Sequence, residues 1–527
     1  MTTQLRERHT TRQRGIALVT TLLMIAVFLI LIGALMENLA REVNITGMHG
    51  RSNSALRAAY EGVEAMQYQF ELNDAGAAPG VVPPLVSNSF TDNDGAPVSY
   101  SVTVDAARWP SVLPYYVVHS IGTSGTSTRK VDALLQKQPF SAFNLFTISE
   151  QNNFGGAVTY TNGEQFNGPV YSGGPMLIFY SDAQPTIFLN TVTTANAPHW
   201  IPHAPASGAD WTSVITNQSD FQQVSQAMTL PTVNDNNAVE YAALIGDPAP
   251  AVPPVLPAVA GLYINGANVT GGGGGPLTSG LYIDGFAQVT SVGSTGTNSD
   301  TFTFNITGGG PVITYHVKVD YGANTTTVTD AAFNPVASYT GVPTGEQAPG
   351  VVGSNGGIWA SNGLWFFANN TFHGKFTFAV PDSPGVHPNL WFAGSQTYAD
   401  PVNDELAFWA NDIILNDNTS GNIEVDGLLL TGYYGECTAV CNDGTFYNIF
   451  CGPVTCSGGQ GVLTLNGSLI ENVRGKRGTL GSSVTGFATD GVFDPRLARN
   501  PPPFTPTTTA YSVIALCTAD SGTTCGQ

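Results

Sequence analysis

Charge is scarce in this chain. Asp, Glu, Lys and Arg make up 11% of its 527 residues, about half the share usual in a soluble globular protein. Basic residues are the scarcer sign: no Lys or Arg occurs between Lys137 and Lys318. Residues 1–72 carry 7 basic and 6 acidic side chains, and the remainder carries 11 basic and 32 acidic. A nucleic-acid partner needs a basic face to neutralise phosphates, so none is expected. Histidine is sparse, at 8 copies, and there is no H-E-x-x-H. Only His199 and His203 (HWIPH) come close together, and Pro202 argues against the helix that would align them as metal ligands. No metal site is expected there. A G-x-S-x-G nucleophile elbow is missing too. The glycine loop Thr270–Leu277 lacks the Lys-Ser/Thr and the following helix of a phosphate cradle.

Cysteine is absent from the first 436 residues. All six lie late, at Cys437, Cys441, Cys451, Cys456, Cys517 and Cys525. An even count in an exported region reads as disulfides before zinc, because matched CxxC pairs with histidine are lacking. The spacing leaves the pairing open.

What is present begins with a long hydrophobic run. Met1–Arg14 is polar and basic, Gly15 follows, and Ile16–Met36 (IALVTTLLMIAVFLILIGALM) holds no charge. Those residues make a helix of roughly 30 Å, enough to cross a bilayer core. The arginines before it predict a cytoplasmic N-terminus and a translocated remainder. Helical character continues to about Leu72. Leu39 and Val43, then Leu56, Ala59, Val63, Met66 and Phe70, form an apolar stripe at spacings of three and four. Gly47 and Gly50 fall between the groups and predict a bend or weak point.

R-Q-R-G-I-A-L-V, a basic leader, a glycine and then an apolar helix, resembles the N-terminus of type IV pilins. LRAAYEGVEAMQYQFE resembles the helix continuation of PilX-type minor pilins and K-type pseudopilins. The resemblance covers residues 12–72. It implies cleavage after Gly15 by prepilin peptidase, with Ile16 as a new and methylated terminus. It also implies packing of Leu18, Leu22, Ile25, Leu29, Ile32 and Met36 against the membrane or neighbouring subunits. One position departs: the fifth mature residue, usually Glu, is Thr20, which has no charge to neutralise a neighbour's amine. Together with the bulky ectodomain, this points to a minor or tip role, not a repeating shaft subunit.

Most of the chain's 60 glycines and all of its 34 prolines lie beyond the helix and punctuate short apolar runs, so the expected class is mainly β. Asn73–Pro84 reads as a linker. Val98–Ala106 and Tyr115–Leu135 alternate like strands of a small antiparallel sheet within residues 81–137. From about 138 to 510, runs such as Leu406–Leu415, Ile423–Leu430 and Val462–Ile470 suggest a β-solenoid-like ectodomain, with a sandwich as the alternative. Thr301–Thr329 reads as an inserted hairpin or meander, placing an insert at about 280–340, and 511–527 as a Cys-containing tail. Short helices are expected only within Trp211–Ala243. The phrase G-P-V-Y-S-G-G from Gly168, and Val484–Pro506 with Asp494, Pro495, Arg496 and Pro501–Pro503, resemble the opening and close of an uncharacterised bacterial β domain found behind prepilin-type N-termini. That resemblance implies no activity.

Candidate chemistry is thin. Asp92–Gly95, Asp235–Asn237 and Asn416–Asn418 are acidic turns compatible with calcium, though none reproduces a calcium loop and no ion is placed. Glu405, Asp412, Glu424 and Asp426 lie near strand runs, and a solvated face is their simpler account. Asp494 and Arg496 are expected to form a structural ion pair. No catalysis is expected. The expectation is a single-pass inner-membrane component of a type IV pilus or type II secretion-like filament, with prepilin peptidase and other pilin-like subunits as partners. Its ectodomain would be periplasmic or extracellular, for adhesion to a surface or glycan ligand or for capping. The alternatives are a single-span adhesin or ligand-binding protein that does not polymerise, and, further off, a carbohydrate-active solenoid enzyme.

Overall fold

The computed structural model describes the chain apart from residues 1–3, 77–83, 92–94, 106–114, 152–155, 161–163, 180–185, 202–203, 205–212, 216–217, 225–227, 231–232, 295–297, 347–349, 382–387, 417–420, 433–443, 452–455, 457–458, 480–484 and 521–527. It is mainly β, with one long N-terminal helix, and it divides into two compact units.

The first unit comprises the N-terminal residues through Ala107, Tyr115–Gln136 and the chain from Ser512. Its helix α1 spans Gln4–Gly76, 73 residues, or about 110 Å. It runs unbroken through Gly47 and Gly50 and takes in Asn73–Gly76, the start of the expected linker. Two stretches of α1 behave differently. Leu18–Met48 is exposed throughout, with Leu22, Leu29 and Met36 between 59% and 67% accessible. Ala55, Ala59, Val63, Met66 and Phe70 are buried, at most 2% accessible. The second stripe lies on an antiparallel sheet built from Ser87–Thr91, Pro97–Val104, Tyr115–Ser124 and Ser127–Pro139.

Two glycines bring helix and sheet close. A Cβ at Gly122 would stand 1.9 Å from the Ala55 carbonyl, and one at Gly62 would stand 2.2 Å from Ser120 Oγ. Phe70 and Tyr116 close the far end, ring centroids 4.5 Å apart. The C-terminal stretch expected as a tail is instead a strand, Thr507–Asp520, the fifth member of this sheet. Its β-branched residues (Thr507, Thr508, Thr509, Val513 and Ile514) carry a strand propensity that the late cysteines obscured.

The second unit is wound into three parallel ladders. The first ladder runs, in spatial order, Phe221–Gln223, Val192–Thr194, Val170–Ser172, Leu145–Ser149, the end of Gly459–Val473, the end of Ile423–Thr431, Glu405–Ala410, Lys375–Ala379, Gly357–Ala360 and Leu281–Asp284. The second joins Phe286–Ser294, Leu364–Phe366, Leu390–Phe392, Ile413–Leu415 and Phe446–Asn448. The third joins Asn370–Phe372, Gln396–Tyr398 and the early halves of Ile423–Thr431 and Gly459–Val473, then Thr485–Val492, Gln165–Phe166 and Ile187–Phe188. Parallel strands buried on both sides read as continuous apolar runs. The first ladder shows why. Leu406 and Phe408 point into the core between ladders, while Ala407 and Trp409 point outward. That outer side is covered by α2 (Val233–Ile245) and by Phe504.

Asp426-Gly427 and Asn466-Gly467, which resemble hairpin turns in the sequence, are corners inside single long strands. Gly427 (φ +112°) and Gly467 (φ +149°) lie side by side in the ladder, and a Cβ at Gly467 would meet the Gly427 carbonyl at 2.0 Å. The chain turns there by a conformation closed to L side chains. Between Phe286–Ser294 and Gly357–Ala360 lies an antiparallel meander of Ser299–Thr307, Ile313–Asp320, Thr325–Asp330 and Pro335–Thr340. The main winding bypasses it, because Leu281–Ile283 pairs directly with Ile358–Ala360.

Candidate functional site

The expected assembly residues lie in α1. Leu18, Leu22, Ile25, Leu29, Ile32 and Met36 are all exposed, between 50% and 67%. Gly15 and Ile16 fall within the helix, with side chains outside the described residues. Full burial of one such side chain is worth about 1.5–3 kcal/mol, so a bare stripe of this length is a large apolar surface left in solvent. By length and composition α1 suits a membrane crossing. Beyond it the polarity rises, with Arg41 on Glu37 at 2.6 Å as a surface pair one turn apart.

The acidic residues singled out near strand runs are not a solvated face. Glu405 and Asp426 are buried, Asp412 is half-buried, and only Glu424 is exposed. Each is consumed by a neighbouring turn of chain. Asp412 accepts from Gly444 N and Thr445 N at 3.0 Å each. Asp426 accepts from Tyr398 N at 2.8 Å and from Asn466 Nδ2 at 3.0 Å, and burial raises it to about 6. Glu405 holds Lys375 Nζ at 2.7 Å. Parallel strands end at corners, where backbone N–H groups lose their ladder partners; carboxylates from the next turn supply acceptors.

The same corner gathers Asp300, Asp404 and Arg496. Both oxygens of Asp300 accept from His373 N at 2.9 Å, Tyr321 OH donates at 3.2 Å, and burial pushes this carboxyl to about 8. Asp404 accepts from Gly374 N at 2.7 Å and faces His373 Nδ1 at 3.4 Å. Arg496 is bidentate on Asp494, with its shortest contact 2.6 Å, and lies 5.2 Å over the Tyr398 ring. The expected structural ion pair is there. The two stretches that resembled one domain's opening and close also meet: Phe493 N donates to Asn167 Oδ1 at 2.6 Å, beside Gly168.

A second buried cluster was not read from the sequence. Glu471, fully buried, accepts from Phe446 N and Gly475 N at 2.9 Å and from Arg477 Nη1 at 3.2 Å. Glu150 accepts from Tyr160 OH at 2.9 Å and Ser172 Oγ at 2.8 Å. Arg474 bridges Glu150 and Glu164 at 3.6 and 3.5 Å and lies 3.9 Å over the Tyr160 ring. A cavity of about 30 Å³ opens between Glu164, Arg474, Arg477 and Asn144. Its signal was available: E-N-V-R-G-K-R, Glu471–Arg477, puts four charges in seven residues of a charge-poor domain.

Cys451 and Cys456 form a disulfide, and Cys517 is disulfide-bonded as well. Cys437, Cys441 and Cys525 lie outside the described residues, as do His203 and most of Asp92–Gly95. His199 lies in a short strand, His199–Ile201, paired with Leu177–Phe179. Among the described residues no group of three His, Cys, Asp or Glu side chains is arranged to hold a metal.

No protein-family model matches the chain, and no curated protein matches it. Among solved structures it is similar to the competence-associated pilin ComZ from Thermus thermophilus, at 13% identity and a TM-score of 0.29, over 89% of this chain and 98% of that one. So distant a likeness leaves the functional argument to this chain's own residues.

Proposed function

We propose that the chain is a pilin-like, non-enzymatic minor or tip component of a type IV pilus or type II secretion-like filament. In this reading Gly15 and Ile16 flank the processing site of a prepilin peptidase. The N-terminus starts in the cytoplasm and the wound unit, a β-solenoid, faces the periplasm or the exterior for adhesion or capping. The observation that carries the reading is the division of α1: an apolar half whose described side chains, Leu18–Met48, are all exposed, then a half sealed under an antiparallel sheet. A helix built only as an anchor has no need to continue into a packed head. The bare half offers a surface for lipid first and for sister helices after extraction, and the partners are other pilin-like subunits. No cofactor is required.

The test is maturation. Gly15→Leu should abolish the mobility shift that prepilin peptidase produces, and N-terminal sequencing of the native protein should begin at Ile16. An unchanged shift in the variant, or a native protein that begins beyond Met36, overturns the proposal. Thr20, in place of a carboxylate, favours a second reading in which the anchor is the same but the chain never polymerises. Co-purification with sheared filaments separates the two.

A further inference from the structure

Phe333 sits on the tip of the meander between Thr325–Asp330 and Pro335–Thr340, and it is 69% exposed. Its backbone is left-handed, at φ +62°, a conformation that is costly for a bulky residue and persists only where the surroundings impose it. Asp330 imposes it here: its Oδ1 accepts from Ala332 N and Asn334 N at 2.9 Å each, its Oδ2 accepts from Asn334 Nδ2, and its carbonyl accepts from Phe333 N. The result lays the ring flat on His316, centroids 4.2 Å apart and planes 5° apart. His316 is itself held by Thr303 Oγ1 at 3.0 Å. A strained turn has been used to hold an aromatic ring out in water.

The surroundings say what the ring meets. Alternation places Phe302, Phe304, Val317, Val319 and Val328 in the core, so the residues between them along each strand face out. The register sets Thr303, His316 and Thr329 in one row, and Thr301, Lys318, Thr327 and Ser338 in the next. Five of these seven side chains carry hydroxyls, on strands about 4.8 Å apart. The charge of Lys318 is answered by Asp320 at 3.5 Å.

We propose that this face binds an uncharged polysaccharide, with the Phe333–His316 pair as its stacking platform. A pyranose ring offers an apolar C–H face for an aromatic ring and equatorial hydroxyls that exchange hydrogen bonds with Thr and Ser. The face has no cationic surplus for an anionic glycan or phospholipid, and the chain's net charge of −20 repels both. A protein partner would call for a larger apolar centre than one ring. The inference deepens the adhesive role proposed for the wound unit and rests on that unit facing outward.

The experiment uses the full-length chain in detergent micelles, passed over cellulose, chitin, alginate and octyl-agarose beads. Retention is expected on cellulose or chitin, with little on alginate. Phe333→Ala should lower that retention at least tenfold. Phe333→Gly, which relieves the strained φ, should lose retention equally while its melting temperature stays level or rises. Absence of retention on both neutral polysaccharides, or retention that survives Phe333→Ala, overturns the proposal. So does loss of the same magnitude on octyl-agarose, which would mean generic apolar contact. Gly15→Leu chains should bind as the parent does, so failure of the filament reading and failure of this one are separable.

Discussion

At the scale of single residues, the sharpest consequence is a pH dependence. Burial raises Asp300 to about 8, Glu346 to about 8, Glu240 to about 7 and Asp426 to about 6. A carboxyl raised on folding binds its proton more tightly in the native state, so its contribution is full below about pH 4 and declines as pH climbs through the folded value. The melting temperature of the wound unit should therefore fall between pH 5 and pH 8.5. Asp300→Asn should flatten that fall, gaining about 1–2 kcal/mol over the parent at pH 8.5 and nothing at pH 4, because the amide oxygen still accepts from His373 N. Calorimetry across that range checks it; an unaltered slope in the variant would show that another group governs the dependence. The Glu471–Arg477 pair makes the opposite case. Glu471→Ala strands a buried guanidinium and leaves two backbone donors without acceptors, a loss of about 3–5 kcal/mol, measurable by chemical denaturation. Such residues were hard to read in advance. Glu405 and Asp426 resemble ordinary turn and surface carboxylates in the sequence, since their partners lie on neighbouring turns of chain 28 to 40 residues away.

At the scale of elements, the sequence was most legible where periodicity is local. The charge-free run, the stripe at Ala59, Val63, Met66 and Phe70, and the alternation from Val98 as far as Val104 correspond to observed elements. What stayed hidden was the closeness of approach. Gly62 and Gly122 carry no periodic signal, yet together they set how near the helix lies to its sheet. Gly122→Val should push a branched side chain into the Ala55 carbonyl and cost more than ~3 kcal/mol. Faster proteolysis of α1 beyond Arg51 would register it. By contrast a Cβ at Gly47 or Gly50 meets nothing within 4 Å, so Ala at either position should leave the head's melting level or raise helix stability by about 0.5–1 kcal/mol. If these variants instead abolish recovery in filaments while the head stays folded, the two glycines are contact points between subunits.

At the scale of the whole molecule, the order of winding matters more than its shape. Leu145–Ser149, the first strand of the second unit, sits in mid-ladder, between Val170–Ser172 and the end of Gly459–Val473. The chain winds outward from that point in one direction, crosses by α2, and returns from the other side to close on its own beginning. No local signal in Leu145–Ser149 names a partner more than three hundred residues away, so the sequence could suggest coils but not this closure. Such non-local pairing is slow to form. A chain truncated after Gln460 should leave the Leu145–Ser149 edge open and be cleaved there in limited proteolysis, whereas the complete chain should resist.

The small sheet shares this dependence on late residues, since Thr507–Asp520 supplies its last strand. For any chain synthesised from its N-terminus, ribosome stalling and premature stop codons are routine hazards. Here a fragment of almost any length displays raw strand edges, which proteases and holding chaperones recognise. The late closing strands thus distinguish a complete chain from a truncated one, because a fragment that lacks them leaves its strand edges open to proteolysis.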